Sequence, residues 1–92
     1  MQKNDRQKKV YTGKLTRKYP NAKNLKVYLE KEGGGGDIGF TAWPSTIDPE
    51  QFDEHPDLSV WELTYTESAT LDRNGNPYLN ITGAKFVRGP DA

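Results

Sequence analysis

Between Asn24 and Thr46 the sequence runs Asn-Leu-Lys-Val-Tyr-Leu-Glu-Lys-Glu-Gly-Gly-Gly-Gly-Asp-Ile-Gly-Phe-Thr-Ala-Trp-Pro-Ser-Thr. Lys26 and Tyr28 alternate there with Leu25, Val27 and Leu29, while Thr41 and Trp43 alternate with Ile38, Phe40 and Ala42. Successive side chains of an extended backbone point to opposite sides, so if the aliphatic set meets a core, the lysine, the threonine and both aromatics face water. Cations beside exposed aromatic planes suit unpaired nucleic acid. Ammonium and guanidinium groups meet the phosphates, and each base stacked on a ring contributes roughly 1–3 kcal/mol. Each aromatic also has a plainer use: Trp43 can tuck under the end of a curled sheet beside Pro44, and Tyr28 can pack across strands.

Further cations, Lys14, Arg17, Lys18, Lys23 and Lys31, lie on or beside the same segments. The formal net charge of zero conceals a polarity: residues 1–31 hold ten Lys or Arg against Asp5 and Glu30, a balance of +8, and residues 32–92 hold three against eleven acids, a balance of −8. A basic segment gathers polyanions through its local field whatever the total. The two halves can also pair with each other, but the coincidence of basic and aromatic residues tilts the reading towards a binding surface. Arg73 and Asn74 can add a contact to a backbone or a base edge, although an Asn-Gly turn needs that asparagine for its own geometry.

Other chemistries find little support. The chain has no cysteine and a single histidine, His55, which removes thiolate nucleophiles, cysteine-ligated zinc and histidine cages. Asp48, Glu50, Asp53, Glu54 and Asp57 lack the glycine turn and fixed ligand positions of a calcium loop and read as a solvated acidic helix. With no serine, histidine and acid constellation either, no catalytic residue, metal or cofactor is expected. No apolar run is long enough for a membrane span or a secretory signal, so a soluble, cytoplasmic protein is expected.

The elements that must position these residues follow from period and punctuation. With 92 residues and 33% hydrophobic content there is room for one modest core. Residues 1–8 read as a flexible basic arm, 9–88 as the folded domain and 89–92 as a loose tail. A first strand from Lys9 to Tyr19 places Tyr11, Gly13 and Leu15 on one side and Val10, Thr12, Lys14, Thr16 and Lys18 on the other, with Gly13 suggesting a bend or bulge. Tyr19 to Asn24 is a turn. Two strands joined by the four glycines come next, and Asp48-Pro49-Glu50-Gln51 then opens a short helix: Asp48 supplies an N-cap, Pro49 fits the first helical position, and Gln51 can complete a capping box. Phe52 is its buried anchor and Pro56 stops it. Val60 to Thr70 is a fourth strand, with Trp61, Leu63 and Tyr65 inward; Tyr11 and Phe86 fit either face. Asn74-Gly75 marks a hairpin into a last strand from Tyr78 to Arg88, where the inward set passes from Leu79 and Ile81 to Ala84 and Phe86 through a bulge near Gly83.

Three strands, a short helix and a two-strand hairpin, seen best in Trp61-Glu-Leu-Thr-Tyr-Thr-Glu, Asn74-Gly75 and Tyr78-Leu-Asn-Ile, resemble the OB-fold over Lys9 to Arg88. The resemblance implies an all-β, five-stranded Greek-key barrel with its short helix between strands three and four. It also implies a ligand face on strands two and three that carries Lys26, Tyr28, Thr41 and Trp43, flanked by the loops Tyr19–Asn24 and Leu71–Pro77. The expected function is non-catalytic binding of single-stranded DNA, with RNA second, in replication, recombination, repair or strand protection. A neutral chain is atypical for a binder that works by counterion release. The rival expectation is therefore an interaction protein or accessory factor, phage-like in character, that docks a protein partner on this face or on its acidic helix side. Association into a homo-oligomer through strand edges is compatible with either.

Overall fold

A computed structural model of the chain describes residues 8–90. Residues 1–7 of the expected arm, and Asp91 and Ala92 of the expected tail, lie outside the described residues. Five strands, β1 (Lys9–Pro20), β2 (Leu25–Glu30), β3 (Asp37–Ala42), β4 (Val60–Leu71) and β5 (Pro77–Arg88), close into a barrel in the order β1-β2-β3-β5-β4. A 3₁₀ helix (Pro49–Asp53) lies between β3 and β4. This is the OB-fold arrangement anticipated from the order of elements.

Alternation fills the interior. Val27, Leu29, Phe40, Leu63 and Ile81 are fully buried, joined by Leu15, Ala42, Phe52 and Trp61. Burying one such large side chain contributes on the order of 1.5–3 kcal/mol. Phe52 packs its ring 4.7 Å from that of Trp61 and plugs the open end of the barrel. Tyr11 and Phe86, which fitted either face by pattern, both turn to the core side: the ring of Tyr11 lies 6.0 Å from that of Phe40, and Phe86 stacks on His55 at 3.7 Å.

Closure depends on β1 changing partners. Its first half, Lys9 to Lys14, pairs with β4, and its second half, Leu15 to Pro20, pairs with β2. The bulge that permits this falls between Leu15 and Arg17, not at Gly13 as the glycine suggested. Gly13 serves close approach instead, since a Cβ there would stand 3.1 Å from the Glu30 carbonyl oxygen and 3.2 Å from the Tyr11 ring. An extra residue in one strand reverses its side-chain parity. Beyond the bulge Arg17 and Tyr19 therefore face outward, and Lys18 turns under the barrel.

The bulge expected in β5 is present: Thr64 pairs with Gly83 and Tyr65 with Ile81, leaving Thr82 over. The helix start is also as read, with Asp48 accepting from the Glu50 N–H and Pro49 at the first position, but the coil tightens to 3₁₀. Gln51 donates its amide to the Asp48 carbonyl at 2.8 Å and does not close a capping box. In the β4–β5 hairpin, Asp72 N–H bonds to the Asn76 carbonyl and Gly75 N–H to the Asp72 carbonyl. Only Gly75 there has a positive φ, +85°, so the connection is a three-residue loop.

Candidate nucleic-acid interface

Register builds the outer face of β2 and β3 row by row. Tyr19 pairs with Lys26, Lys26 with Thr41 and Thr41 with Asn80, which lays four outward residues across β1, β2, β3 and β5. The neighbouring row is Arg17, Tyr28 and Gly39. Trp43 follows β3 directly, and its carbonyl is held by the N–H groups of Thr46 and Ile47. The chain reverses at that point and the indole stays outside.

Trp43 is 37% exposed and donates its indole N–H to Asn80 Oδ1 at 2.9 Å. Tyr78, on the facing strand, is 41% exposed, with Lys26 Nζ 5.9 Å from its ring centroid. Among the described residues neither ring packs against another aromatic. Between them runs a groove of about 590 Å³ lined by Asn21, Asn24, Lys26, Thr41, Trp43, Ser68, Tyr78 and Asn80. Past Lys26 and Tyr78 it continues as a second depression of about 420 Å³, bordered by Lys31, Asp37, Gly39, Glu67, Asp72 and Asn76. The two halves differ in electrostatics. No carboxylate lines the Trp43 half, whereas Asp37, Glu67 and Asp72 oppose Lys26 and Lys31 in the other.

Tyr28 is used differently from Trp43. Its ring leans over Gly39, where a Cβ would come within 2.9 Å of it, and meets the Tyr19 ring edge-on at 5.8 Å. The Arg17 guanidinium lies 4.8 Å from its centroid and 3.6 Å from Asp37. Cross-strand packing is thus the tyrosine's role, and the open plane expected of Tyr28 is taken by Arg17. The pair presents a cation braced on a ring.

Several sequence-derived positions need correction. Lys18 is off the face: reversed by the bulge, its amine meets Asp53 at 2.5 Å, the Phe52 carbonyl at 3.3 Å and Asp57 at 3.9 Å. Thr41 has the right parity but is only 4% exposed, so it forms the groove floor and offers little contact. Lys14 borders a separate depression with Tyr11, Glu30 and Arg88, around the barrel from the groove. Lys31 borders both that depression and the groove. Lys23 sits in the β1–β2 loop facing Pro44, Pro49 and Glu50. Arg73 and Asn74 are exposed at the hairpin tip outside the groove, where the Asn74 N–H bonds to the Asp72 carboxylate.

Tyr78 and Asn80 were missed by sequence reasoning, although their signal is present. They alternate with Leu79 and Ile81 as Tyr28 alternates with Val27 and Leu29, and an aromatic on the polar side of a strand carries the same implication in both places. Among the described residues no cluster of His, Cys, Asp or Glu is placed to hold a metal ion, and no helix is long and apolar enough to cross a membrane.

No protein-family model and no curated protein matches the chain. Solved structures do. The crystal structure of asparaginyl-tRNA synthetase from Pyrococcus horikoshii superposes with a TM-score of 0.71 at 12% identity. That of the same enzyme complexed with asparaginyl-adenylate gives 0.70 at 11%. Each match covers 92% of this chain and 20% of the other, so the chain spans about a fifth of the length of these neighbours. At such identity the likeness is one of fold.

Proposed function

We propose that this domain binds single-stranded nucleic acid, without catalysis, in the groove between the β2–β3 face and β5. Bases stack on Trp43 and Tyr78, and phosphates meet Lys26 and the Arg17 guanidinium braced on Tyr28. The observation that carries the reading is the pair of exposed rings flanking a lysine in a groove half that no carboxylate lines. Stacking needs an open π-face and backbone tracking needs a cation within a nucleotide's reach, and this half supplies both. The sequence reading put DNA ahead of RNA. The structural neighbours, named as tRNA synthetases, support RNA as the first strand to test.

The test is a fluorescence anisotropy titration of short labelled ribo- and deoxyribo-oligonucleotides at two salt concentrations. Binding is expected to weaken steeply as salt rises, because phosphate contacts release counterions. Trp43→Ala is expected to cost roughly 1–3 kcal/mol of the remainder. If neither strand binds at low salt, or binding is indifferent to Trp43→Ala, the reading is wrong.

A further inference from the structure

Asn80 presents a donor of fixed sense to the Trp43 half of the groove, and we infer that it favours bases with a carbonyl at the 4-position, uracil or thymine, over cytosine with its 4-amino group; this rests on the nucleic-acid reading above. The indole N–H is a donor only, so the atom of Asn80 that meets it at 2.9 Å must be the amide oxygen. Ordinarily the two ends of an asparagine amide are interchangeable, but here the indole removes the ambiguity. With the oxygen engaged, the Asn80 Nδ2 group remains, carrying two N–H donors and finding no protein acceptor among the described residues. Asn80 is half-buried in the groove wall beside Tyr78, in register with Thr41 and Thr66.

A second amide pair, Asn21 and Asn24, joins Nδ2 to Oδ1 at 3.0 Å with no indole to fix its sense, so it brings one donor and one acceptor to the mouth of the same groove. Lys26, which also lines it, can only donate. A base held between the Trp43 and Tyr78 rings therefore meets donors of fixed sense from Asn80 and Lys26. The 4-carbonyl of uracil accepts from such groups. The 4-amino group of cytosine points hydrogens at the same place, so a donor there is left unpaired unless the base shifts to offer N3 or its 2-carbonyl. Stacking alone is nearly indifferent to base identity. Selectivity of this sign thus belongs to the Asn80 amide.

The experiment compares oligo(dU) with oligo(dC) of equal length at a pH where cytosine is neutral, and repeats both with ribose; the two bases have the same ring size and differ at the 4-position and N3. Wild-type protein is expected to bind the uracil strand about tenfold more tightly, the size of one well-placed hydrogen bond. Asn80→Asp keeps an oxygen for the indole and removes the donors, so the ratio should fall to near one or invert. Trp43→Phe provides a second readout: it keeps an aromatic plane, frees the amide to turn over, and should narrow the ratio while both strands still bind. Thermal melting of each variant establishes that it is folded. Equal affinity of the wild type for both strands, or a ratio unmoved by Asn80→Asp and Trp43→Phe, overturns the inference and leaves the groove reading standing. Failure of the wild type to bind any strand overturns the groove reading itself.

Discussion

Lys18 and Lys26 have the same side chain, and their surroundings give them opposite tasks. Lys18 is folded under the barrel against Asp53 and the Phe52 carbonyl, with its side chain 19% exposed, whereas Lys26 stands in the groove beside Tyr78. Lys18→Ala is expected to lower stability by about 1 kcal/mol, the scale of a partly shielded pair with an added hydrogen bond, and to leave oligonucleotide affinity unchanged. Lys26→Ala is expected to leave urea unfolding almost unchanged and to reduce the salt slope of binding by about 1. Swapped outcomes would put the ligand on the other side of the molecule. Simple alternation cannot separate these two residues, because it sends both outward. What separates them is the single extra residue near Thr16, and no glycine or proline marks that position.

At the scale of the element, β3 meets β2 through glycine. Tyr28 lies over Gly39 because nothing projects there, and Arg17 in turn rests on Tyr28. Gly39→Ala places a methyl 2.9 Å from the ring, so the tyrosine must swing away and release the guanidinium. Binding is expected to weaken several-fold with the far-ultraviolet circular dichroism spectrum intact; unchanged affinity would detach Arg17 from the site. A second local strain lies in the link from the 3₁₀ helix to β4, where Leu58, 46% exposed, holds φ at +69°. Its N–H bonds to the Leu15 carbonyl at 3.0 Å, so the unusual conformation is held by the strand beside it. Leu58→Gly is expected to stabilise the fold by roughly 0.5–1 kcal/mol in chemical denaturation, since a left-handed conformation is unfavourable for residues with a Cβ and little packing is lost. The elements themselves were readable from alternation and turn residues: all five strands and the Asp48 cap lie where period and punctuation put them. The tightening of the helix to 3₁₀ was not readable, because Phe52 must drop onto Trp61 within a single turn and that demand comes from across the barrel.

For the whole molecule, the charge polarity along the chain does not become one basic face. Lys9 pairs with Glu67, Lys18 with Asp53 and Arg17 with Asp37, so closure brings the basic first strands against the acidic later segments. A cation-rich segment is legible in sequence, but its neutralisation is set by which strands become neighbours, and β1 beside β4 is a non-local pairing. For the same reason the outward face of β2 and β3 that borders the groove was legible from Lys26 and Trp43, whereas the opposite wall of the groove, Tyr78 and Asn80 on β5, required the barrel to close. The central claim is that a strand of nucleic acid lies in that groove, and the two tryptophans offer a direct test in ¹H–¹⁵N correlation spectra of the protein titrated with oligo(dU) or oligo(U). The Trp43 indole N–H resonance and the amides of Lys26, Thr41, Tyr78 and Asn80 are expected to shift, while the indole of Trp61, only 2% exposed in the core, stays in place. Shifts confined to residues 48–57, or a Trp43 indole that remains still at saturation, would contradict the account.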